Sequence, residues 1–203
     1  MRTRRQQIED VASTLFSDRG YAATSMRDIA RALDLQGGSL YAHIPSKEAV
    51  LASIVQQAAE RFHAAVRPLA QGAGTAAERL RRMVHAHVNV VADGRERATV
   101  FLFEWTFLSP ERREPVARAR DTYEGYFTQV IAEGVAAGEL TARDPKLAAV
   151  FILSAMNGLA HWYRSDGPLG PTELADHYAD LFLHGLQRGA FPGTGTATAG
   201  GTR

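Results

Sequence analysis

The sequence predicts an all-α protein. Apolar residues recur with the spacing of an amphipathic helix along nearly the whole chain of 203 residues, whereas the alternating pattern of half-buried strands is missing. Several segments open with a capping residue that is followed by an acid three positions later or by a proline at the first helical position. These start points divide the chain into about nine helices.

An apolar stripe and a glycine mark the first helix, a capping pair marks the second, and a proline follows the third. The stripe belongs to a helix that starts at residue 3, and it comprises Ile8, Val11, Ala12, Leu15 and Phe16. Gly20 stands where a glycine commonly ends a helix. Ser25 and Asp28 form a capping pair for a second helix of about two turns. A third short helix is expected over about 36–43, ahead of Pro45.

Capping residues, prolines and composition divide the rest of the chain into two domains and a tail. Ser46 caps a fourth helix over about 47–67, which we expect Pro68 to end. Five more helices are expected near 76–93, 95–108, 110–138, 145–164 and 172–189. We therefore expect one domain over 1–50 and a second over 51–190, with the boundary inside the fourth helix. Residues 191–203, rich in Gly, Thr and Ala, are expected to form a disordered tail.

Composition excludes several classes of protein. The 23 basic residues are balanced by 22 acidic ones, which argues against a protein that coats nucleic acid indiscriminately. The absence of cysteine removes thiolate nucleophiles and Cys-zinc sites, and no HExxH motif, no pair of Glu-x-x-His motifs and no glycine-rich phosphate loop is present. We expect no metal, no cofactor and no enzymatic activity. No apolar run reaches the roughly 18 to 20 residues of a membrane helix, and no signal peptide is recognised, so a cytoplasmic protein without a membrane partner is expected.

The two short helices over 25–44 have the spacing of a helix-turn-helix. Such a pair buries little surface but can present its second helix to a DNA major groove. A small helical hairpin that only contributes to the core has the same spacing. Spacing alone therefore leaves both interpretations open.

Four linked motifs stand out in this region: Phe16 with Gly20-Tyr21, the run from Thr24 to Ala30, the run from Leu40 to His43, and the run from Pro45 to Glu48. Together they resemble the DNA-binding domain of the TetR family of bacterial transcriptional regulators. The resemblance covers about residues 5 to 55. It implies an N-terminal three-helix DNA-binding domain and a helical C-terminal domain that binds a small effector, dimerises through its last two helices and relieves repression when the effector binds.

The resemblance and the side-chain chemistry together give a set of expected DNA-binding residues. The resemblance implies phosphate contacts by Tyr41, His43 and Lys47. Gln36 can pair with adenine through two hydrogen bonds, and Ser39 is a second base-reading candidate. Tyr41 as core filler, His43 as a helix cap and Ser25 as a pure cap are the structural alternatives. The full set is Thr24, Ser25, Arg27, Gln36, Gly37, Gly38, Ser39, Tyr41, His43 and Lys47.

Aromatic and apolar stripes after residue 95 supply candidates for an effector site, although most such residues are expected to be core. The candidates are Phe103, Trp105, Arg120, Tyr123, Phe127, Met156 and Trp162. Arg120 interrupts an apolar stripe and needs a partner, which is either Glu104 or an effector with a carboxylate or phosphate. The segment 157–169 is similar to one in TetR-family regulators of fatty-acid and sterol degradation, which implies a large apolar acyl-CoA effector. A smaller aromatic or drug-like compound is the alternative.

Small residues on the last two helices permit a close helix crossing and so favour a dimer interface there. Its expected apolar residues are Ile152, Ala155, Leu174, Tyr178, Leu181 and Phe182. The predicted function is a ligand-responsive repressor that binds a pseudo-palindromic DNA operator as a homodimer and is released by a small apolar effector. The alternatives are a helical-bundle small-molecule-binding or interaction protein, or an enzyme, without DNA binding.

Overall fold

The computed structural model describes residues 3–35 and 37–186, and these residues are helical with no strand among them. The all-α prediction is confirmed. In chain order the helices are α1 (Arg4–Arg19), α2 (Met26–Ala32), α3 (Gly37–Tyr41), α4 (Lys47–Ala70), α5 (Ala76–Asp93), α6 (Arg95–Thr99), α7 (Pro110–Ala136), α8 (Pro145–Asn157), α9 (Leu159–Trp162) and α10 (Pro171–Leu186). The predicted disordered tail over 191–203 lies outside the described residues.

Capping chemistry sets where the helices begin. Three of them start with reciprocal capping boxes, in which the cap hydroxyl and the side chain three positions later each accept a backbone hydrogen bond. These pairs are Thr3 with Gln6, Ser25 with Asp28, and Thr75 with Glu78. Asp144 caps α8 by accepting a hydrogen bond from the backbone N–H of Leu147 at 3.1 Å. Helix α5 has the predicted bounds.

The predicted end of α4 at Pro68 is wrong. The helix continues through Pro68 to Ala70, and the N–H of Gln71 donates to the carbonyl of Arg67. Proline removes one hydrogen bond from the helix. Burial of Val66 and Ala70 on the same face offsets that loss, since tertiary packing contributes most of the stability of a helix.

Two other predicted helices are interrupted. The helix expected over 95–108 ends as α6 at Thr99 and continues as a π-helical turn over Val100–Glu104 and a 3₁₀ turn over Trp105–Phe107. The helix expected over 145–164 divides at Gly158 into α8 and α9. Apolar periodicity indicates where helices lie but not where their hydrogen-bonding pattern changes, so it did not predict these interruptions.

Helix α4 packs against both parts of the molecule. Its first half buries Val50 and Ile54 in the core that also contains Phe16 of α1 and Leu40 of α3. Its second half packs against α5 and α7, and α5 also packs along α10. No helix in the described part of the chain is long and apolar enough to cross a membrane.

Candidate DNA-binding surface and effector cavity

The segment α2–turn–α3 has the helix-turn-helix arrangement. Ile29, Leu40 and Ile44 are buried against α1 and α4, which holds the two short helices together. Asp34 in the turn has φ 52°, a left-handed conformation that a short polar side chain tolerates. The N–H of Leu35 then donates to the carbonyl of Ala30 at 2.9 Å and closes the turn.

Several expected DNA-binding residues lie exposed on this unit. Arg27 on α2, Ser39 and Tyr41 on α3, and His43 just beyond α3 are all exposed. Tyr41 is 53% exposed, so it is not core filler. Gly37 and Gly38 form the first residues of α3, whereas Gln36 lies outside the described residues.

The structure gives Thr24 and Ser25 local roles. Thr24 is 2% exposed, and its hydroxyl donates to the carbonyl of Gly20 at 3.0 Å, so the predicted DNA contact by this side chain is wrong. Ser25 is exposed, but its Oγ caps α2, donating to Oδ2 of Asp28 at 2.5 Å and accepting from the Asp28 N–H at 3.2 Å. The alternative of a pure cap describes the geometry of Ser25.

Lys47 also points into the protein rather than out toward a phosphate. Its ammonium donates to the carbonyls of Tyr21 at 2.9 Å and Thr24 at 2.8 Å, and it lies 4.1 Å from the centroid of the Tyr21 ring. Two of its three N–H donors are therefore occupied by the turn between α1 and α2. The expected phosphate contact is corrected accordingly: Lys47 fastens α4 to that turn.

A cavity of about 260 Å³ lies in the C-terminal helices, between α4, α5, α7, α8 and the π-helical turn. It is lined by Phe62, His87, Phe101, Leu102, Arg120, Asp121, Tyr123, Glu124, Val150, Leu153, Ser154 and Asn157. Apolar and polar groups both face it, which is the usual composition of a small-molecule site. Of the expected ligand-binding residues, Arg120 and Tyr123 line it.

Of the two partners considered for Arg120, Glu104 does not form an ion pair with it. Arg120 donates to the carbonyl of Phe101 at 3.4 Å, and its guanidinium lies 5.3 Å and 5.1 Å from the ring centroids of Phe101 and Trp105. Burial lowers the pKa of Arg120, and the charge of Asp121 opposes that shift. An arginine stays charged under such conditions, so the cavity wall carries a cation.

His87 is a polar lining residue that was not among the expected ligand-binding residues. It is 1% exposed, and its Nδ1 lies 3.0 Å from the hydroxyl of Tyr123. Burial lowers the pKa of His87 to about 3 and raises the pKa of Tyr123, so both groups are neutral near pH 7. Its Nε2 has no hydrogen-bond partner among the described residues. The position of His87 four residues after Met83 on the buried face of α5 is the pattern that could have identified it.

The remaining expected ligand-binding residues lie elsewhere. Phe103 is 36% exposed and stacks on His161 at 4.1 Å, and Trp162 is 52% exposed. Phe127 and Met156 are fully buried in the core and do not line the cavity. Trp105 reaches the site only through its contact with Arg120. Helical spacing gives the buried face of a helix but does not distinguish cavity wall from solid core.

An exposed apolar groove runs between α8 and α10. The exposed side chains are Leu147, Phe151 and Leu181, which are 64%, 65% and 72% accessible. Of the expected interface residues, Ile152, Leu181 and Phe182 line the groove. Leu174 is 4% exposed and is not among the residues that line the groove. Ala155 and Tyr178 are half-buried, with the Tyr178 hydroxyl 3.5 Å from the carbonyl of Ala155.

Both parts of the chain match known families and structures. The model described as "Bacterial regulatory proteins, tetR family" matches residues 8–54, and "Tetracyclin repressor-like, C-terminal domain" matches residues 73–186. The HTH-type transcriptional repressor KstR2 of Mycolicibacterium smegmatis is 25% identical over 91% of each chain. The TetR family transcriptional regulator PfmR of Thermus thermophilus is 35% identical, with a TM-score of 0.80 over 89% of this chain and 99% of the other. AibR, solved in complex with isovaleryl coenzyme A and operator DNA, is 26% identical, with a TM-score of 0.79 over 91% and 98% of the two chains. The chain therefore belongs to the TetR family of bacterial transcriptional regulators and is not an enzyme.

Proposed function

We propose that this regulator represses transcription as a homodimer on a pseudo-palindromic operator and is released when an effector enters the cavity beside Arg120. One observation carries the proposal. The segment that forms one wall of the cavity, through Phe101 and Leu102, continues directly into Glu104 and Phe107, which contact Tyr21 in the turn that leads into the helix-turn-helix. A ligand that changes this segment therefore acts on the DNA-binding unit without an intermediary.

The proposed DNA contacts are the exposed groups of the helix-turn-helix. Tyr41 and His43 bind phosphate oxygens, and Arg27 adds a charge at the start of α2. Ser39 reads bases, together with Gln36, while Gly37 and Gly38 allow close approach of the backbone. We divide the chain, as proposed from the sequence, into a DNA-binding domain over 1–50 and an effector and dimerisation domain over 51–190, with α4 as the shared helix.

The proposed effector is an acyl-CoA whose acyl group occupies the cavity. A volume of about 260 Å³ lies below the roughly 300–1,000 Å³ of pockets for drug-sized ligands, so a short or branched acyl group fits and the coenzyme extends outside. Arg120 supplies a cation for an anionic part of the ligand. The likeness to AibR, solved with isovaleryl coenzyme A, supports this choice over the smaller aromatic compound, which is retained as the second candidate.

In this proposal, release of DNA depends on one segment that differs between the DNA-bound and the released protein. An effector alters the equilibrium only if it contacts the DNA-bound and released states differently. The π-helical turn over Val100–Glu104 is suited to this role because extra residues of this kind in helices often occur at functional sites. We propose that filling the cavity shifts this turn and thereby moves Tyr21 and the attached helix-turn-helix.

The proposed homodimer forms through the groove between α8 and α10. Leu147, Phe151 and Leu181 give this surface a contiguous apolar character, which is typical of an interaction site. Pairing of two such surfaces by a twofold axis places two recognition helices on one face of the dimer. That arrangement requires two operator half-sites about one helical turn apart, or a multiple of it.

A mobility-shift titration with DNA from upstream of the protein's own gene tests the proposal. Repeated at several salt concentrations, it should show sequence preference and a steep salt dependence. Addition of isovaleryl coenzyme A should release the DNA, whereas coenzyme A alone should release it less. Binding without sequence preference would favour the interaction-module alternative, and sequence-specific binding that no acyl-CoA relieves would refute the proposed effector.

A further inference from the structure

His87 lines the proposed effector cavity, and one of its two ring nitrogens has no hydrogen-bond partner among the described residues. Its ring packs against Phe62, with ring centroids 5.0 Å apart, and only Nδ1 is engaged, by Tyr123. Nε2 is buried, and it has no hydrogen-bond partner in the described part of the chain. A buried polar atom left in this way costs about 1–3 kcal/mol, so its presence in a ligand cavity needs an explanation.

The contact with Tyr123 determines which ring nitrogen carries the proton. Both groups are neutral, so one phenol hydrogen and one imidazole hydrogen must be placed. If Nδ1–H donated to the phenol oxygen, the phenol hydrogen and the Nε2 lone pair would both lack a partner. If the phenol donates to Nδ1, only the Nε2–H lacks one. The second arrangement leaves fewer buried groups unsatisfied and makes Nε2–H a buried donor on a ring that lines the cavity.

We infer that His87 Nε2–H binds a neutral carbonyl oxygen of the effector, an inference that rests on the proposed role of this cavity as the effector site. A carbonyl only accepts hydrogen bonds, so it satisfies the donor without adding a hydrogen that needs a partner beside Phe62 and Leu153. Ketones, esters, amides and the thioester of an acyl-CoA all offer such an oxygen.

Arg120 and His87 thus select two different features of one ligand. The guanidinium of Arg120 suits an anionic group, since charge-assisted hydrogen bonds to carboxylate or phosphate are strong. The neutral imidazole of His87 suits an uncharged oxygen, because burial disfavours the imidazolium that a second anion would require. The effector class is therefore an anionic compound with a separate neutral carbonyl.

The tautomer can be measured without any ligand. Long-range proton–nitrogen correlation spectra of the full chain at neutral pH should show a neutral His87 ring with its proton on Nε2, assigned by comparison with the His87→Phe variant. Tyr123→Phe removes the phenol and should yield a mixture of both tautomers. A ring protonated on Nδ1 in the wild-type protein would overturn the inference.

Matched fragments test the carbonyl contact itself. Cyclohexanone, cyclohexanol and methylenecyclohexane have similar shapes, and we expect cyclohexanone to bind at least about tenfold more tightly than the other two, the ratio that one good hydrogen bond gives. His87→Phe should bring the three affinities within about twofold, and His87→Gln, which keeps an N–H donor, should restore part of the preference. Equal binding of the three by the wild-type protein, or binding of none, overturns the inference. If His87→Phe fails to fold, the wild-type ratio and Tyr123→Phe still decide the matter.

The two proposals fail in different ways. A ketone preference at His87 without any effect of cavity ligands on operator binding would uphold the carbonyl contact and refute the cavity as the control site. Release of DNA by isovaleryl coenzyme A together with a His87 ring that ignores the ketone would refute the carbonyl contact alone.

Discussion

The carboxylate of Glu104 accepts a hydrogen bond from the backbone N–H of Tyr21, with 2.9 Å between Oε2 and the nitrogen. The two residues lie 83 positions apart in the chain, and they join the wall of the effector cavity to the turn between α1 and α2. Phe107 reinforces this connection because its ring lies 5.4 Å from the ring of Tyr21. Lys47 also contacts Tyr21: its ammonium donates to the Tyr21 carbonyl and lies over the Tyr21 ring. The orientation of the helix-turn-helix therefore depends on a residue at the end of the π-helical turn.

Replacement of Glu104 should loosen this connection. In Glu104→Ala the N–H of Tyr21 loses its acceptor, so we expect its amide exchange to accelerate by about tenfold or more, as for the loss of a hydrogen bond to a charged group. The effect of isovaleryl coenzyme A on operator affinity should shrink by roughly two- to thirtyfold, the range in which single residues alter coupling. Hydrogen exchange and mobility-shift titrations measure the two quantities.

Glu111→Ala is the matched control for Glu104, because this carboxylate lies exposed near the start of α7. It should leave both the exchange of Tyr21 and the operator response unchanged. Unchanged exchange of Tyr21 in Glu104→Ala would mean that the hydrogen bond is not formed in solution.

Lys47 and Arg27 should respond differently to mutation. Lys47→Met removes two charge-assisted hydrogen bonds to carbonyls, so we expect the free energy of unfolding of the free protein to fall by about 1–3 kcal/mol. Arg27→Ala removes an exposed side chain and should change that free energy by less than about 0.5 kcal/mol. In operator titrations Arg27→Ala should reduce the slope of log affinity against log salt by about 1.8, the value for one lost phosphate contact in each half-site of the dimer.

Denaturant unfolding and salt-dependent titration of both variants measure these effects. A Lys47→Met protein of wild-type stability whose salt slope has dropped by one contact in each half-site would restore the phosphate role that the sequence predicted. The contrast between Lys47 and Arg27 matters because both are basic and both belong to the linked motifs that resemble the TetR family.

Local chemistry explains which parts of the fold the sequence could predict. Capping boxes involve residues three positions apart, so Thr75 and Glu78 alone determine the start of α5. The end of α4 depends instead on the packing of Val66 and Ala70, which lies beyond local sequence and overrides Pro68. The π-helical turn over Val100–Glu104 packs against α1 and α4, and these contacts also lie beyond local sequence.

The candidate sites show the same difference between features that local sequence determines and features that depend on distant residues. The interruption of an apolar stripe by Arg120 correctly indicated a polar group in the effector half, because a buried charge needs a compensating environment. The sequence left Glu104 and an effector as alternative partners of Arg120, because the direction of Glu104 depends on the distant residue Tyr21. The sequence did not identify His87 as a cavity residue, because a histidine on a buried helix face gives the same pattern whether it faces the core or a cavity.

The apolar groove should determine the oligomeric state. Phe151→Glu and Leu181→Glu each place a charge on the exposed surface of α8 or α10, where two copies of the proposed interface would bury it at high cost. We expect the wild-type protein to have twice the chain mass of 22.1 kDa and both variants to have the mass of one chain at micromolar concentration. Sedimentation or light scattering measures the mass.

Trp162→Glu serves as the control for the groove, because Trp162 is 52% exposed but does not line it. This variant should stay dimeric. If all three variants dimerise as the wild type does, another surface forms the dimer. A wild-type protein that is itself monomeric would refute the proposed homodimer.

Gly134 on α7 should tolerate no side chain. A Cβ at this position would lie 2.7 Å from the Cβ of Ala76 and from a methyl carbon of Leu140, so Gly134→Ala forces α7 away from α5. The overpacking outweighs the gain in helix propensity, and we expect the free energy of unfolding to fall by about 1–2 kcal/mol. Gly125→Ala, on the same helix with open space around its Cβ, should instead stabilise by about 0.5–1 kcal/mol. Equal effects in denaturant titrations would contradict the close approach.

His87 should make the protein less stable as the pH falls below neutral. The folded protein holds this imidazole neutral, with its pKa lowered to about 3, whereas the unfolded chain binds a proton near pH 6.5. Since the unfolded state binds more protons between these values, the free energy of unfolding decreases as pH decreases through this window. From pH 7 to pH 5 the loss amounts to about 2 kcal/mol by linkage, at a pH still above the range in which buried carboxylates such as Glu9 lose their charge.

The comparison of wild type with His87→Phe isolates this contribution. The groups that line the cavity with His87 and carry or can gain charge are Arg120, Asp121, Tyr123 and Glu124, and all of them are retained in the variant. The difference in unfolding free energy between the two proteins should therefore change by about 2 kcal/mol from pH 7 to pH 5. His177→Phe, at an exposed position on α10, controls for the removal of a histidine as such. Parallel stability curves for wild type and His87→Phe would mean that His87 is protonated or solvated in the folded protein, and the neutral donor inferred at the cavity wall would not exist.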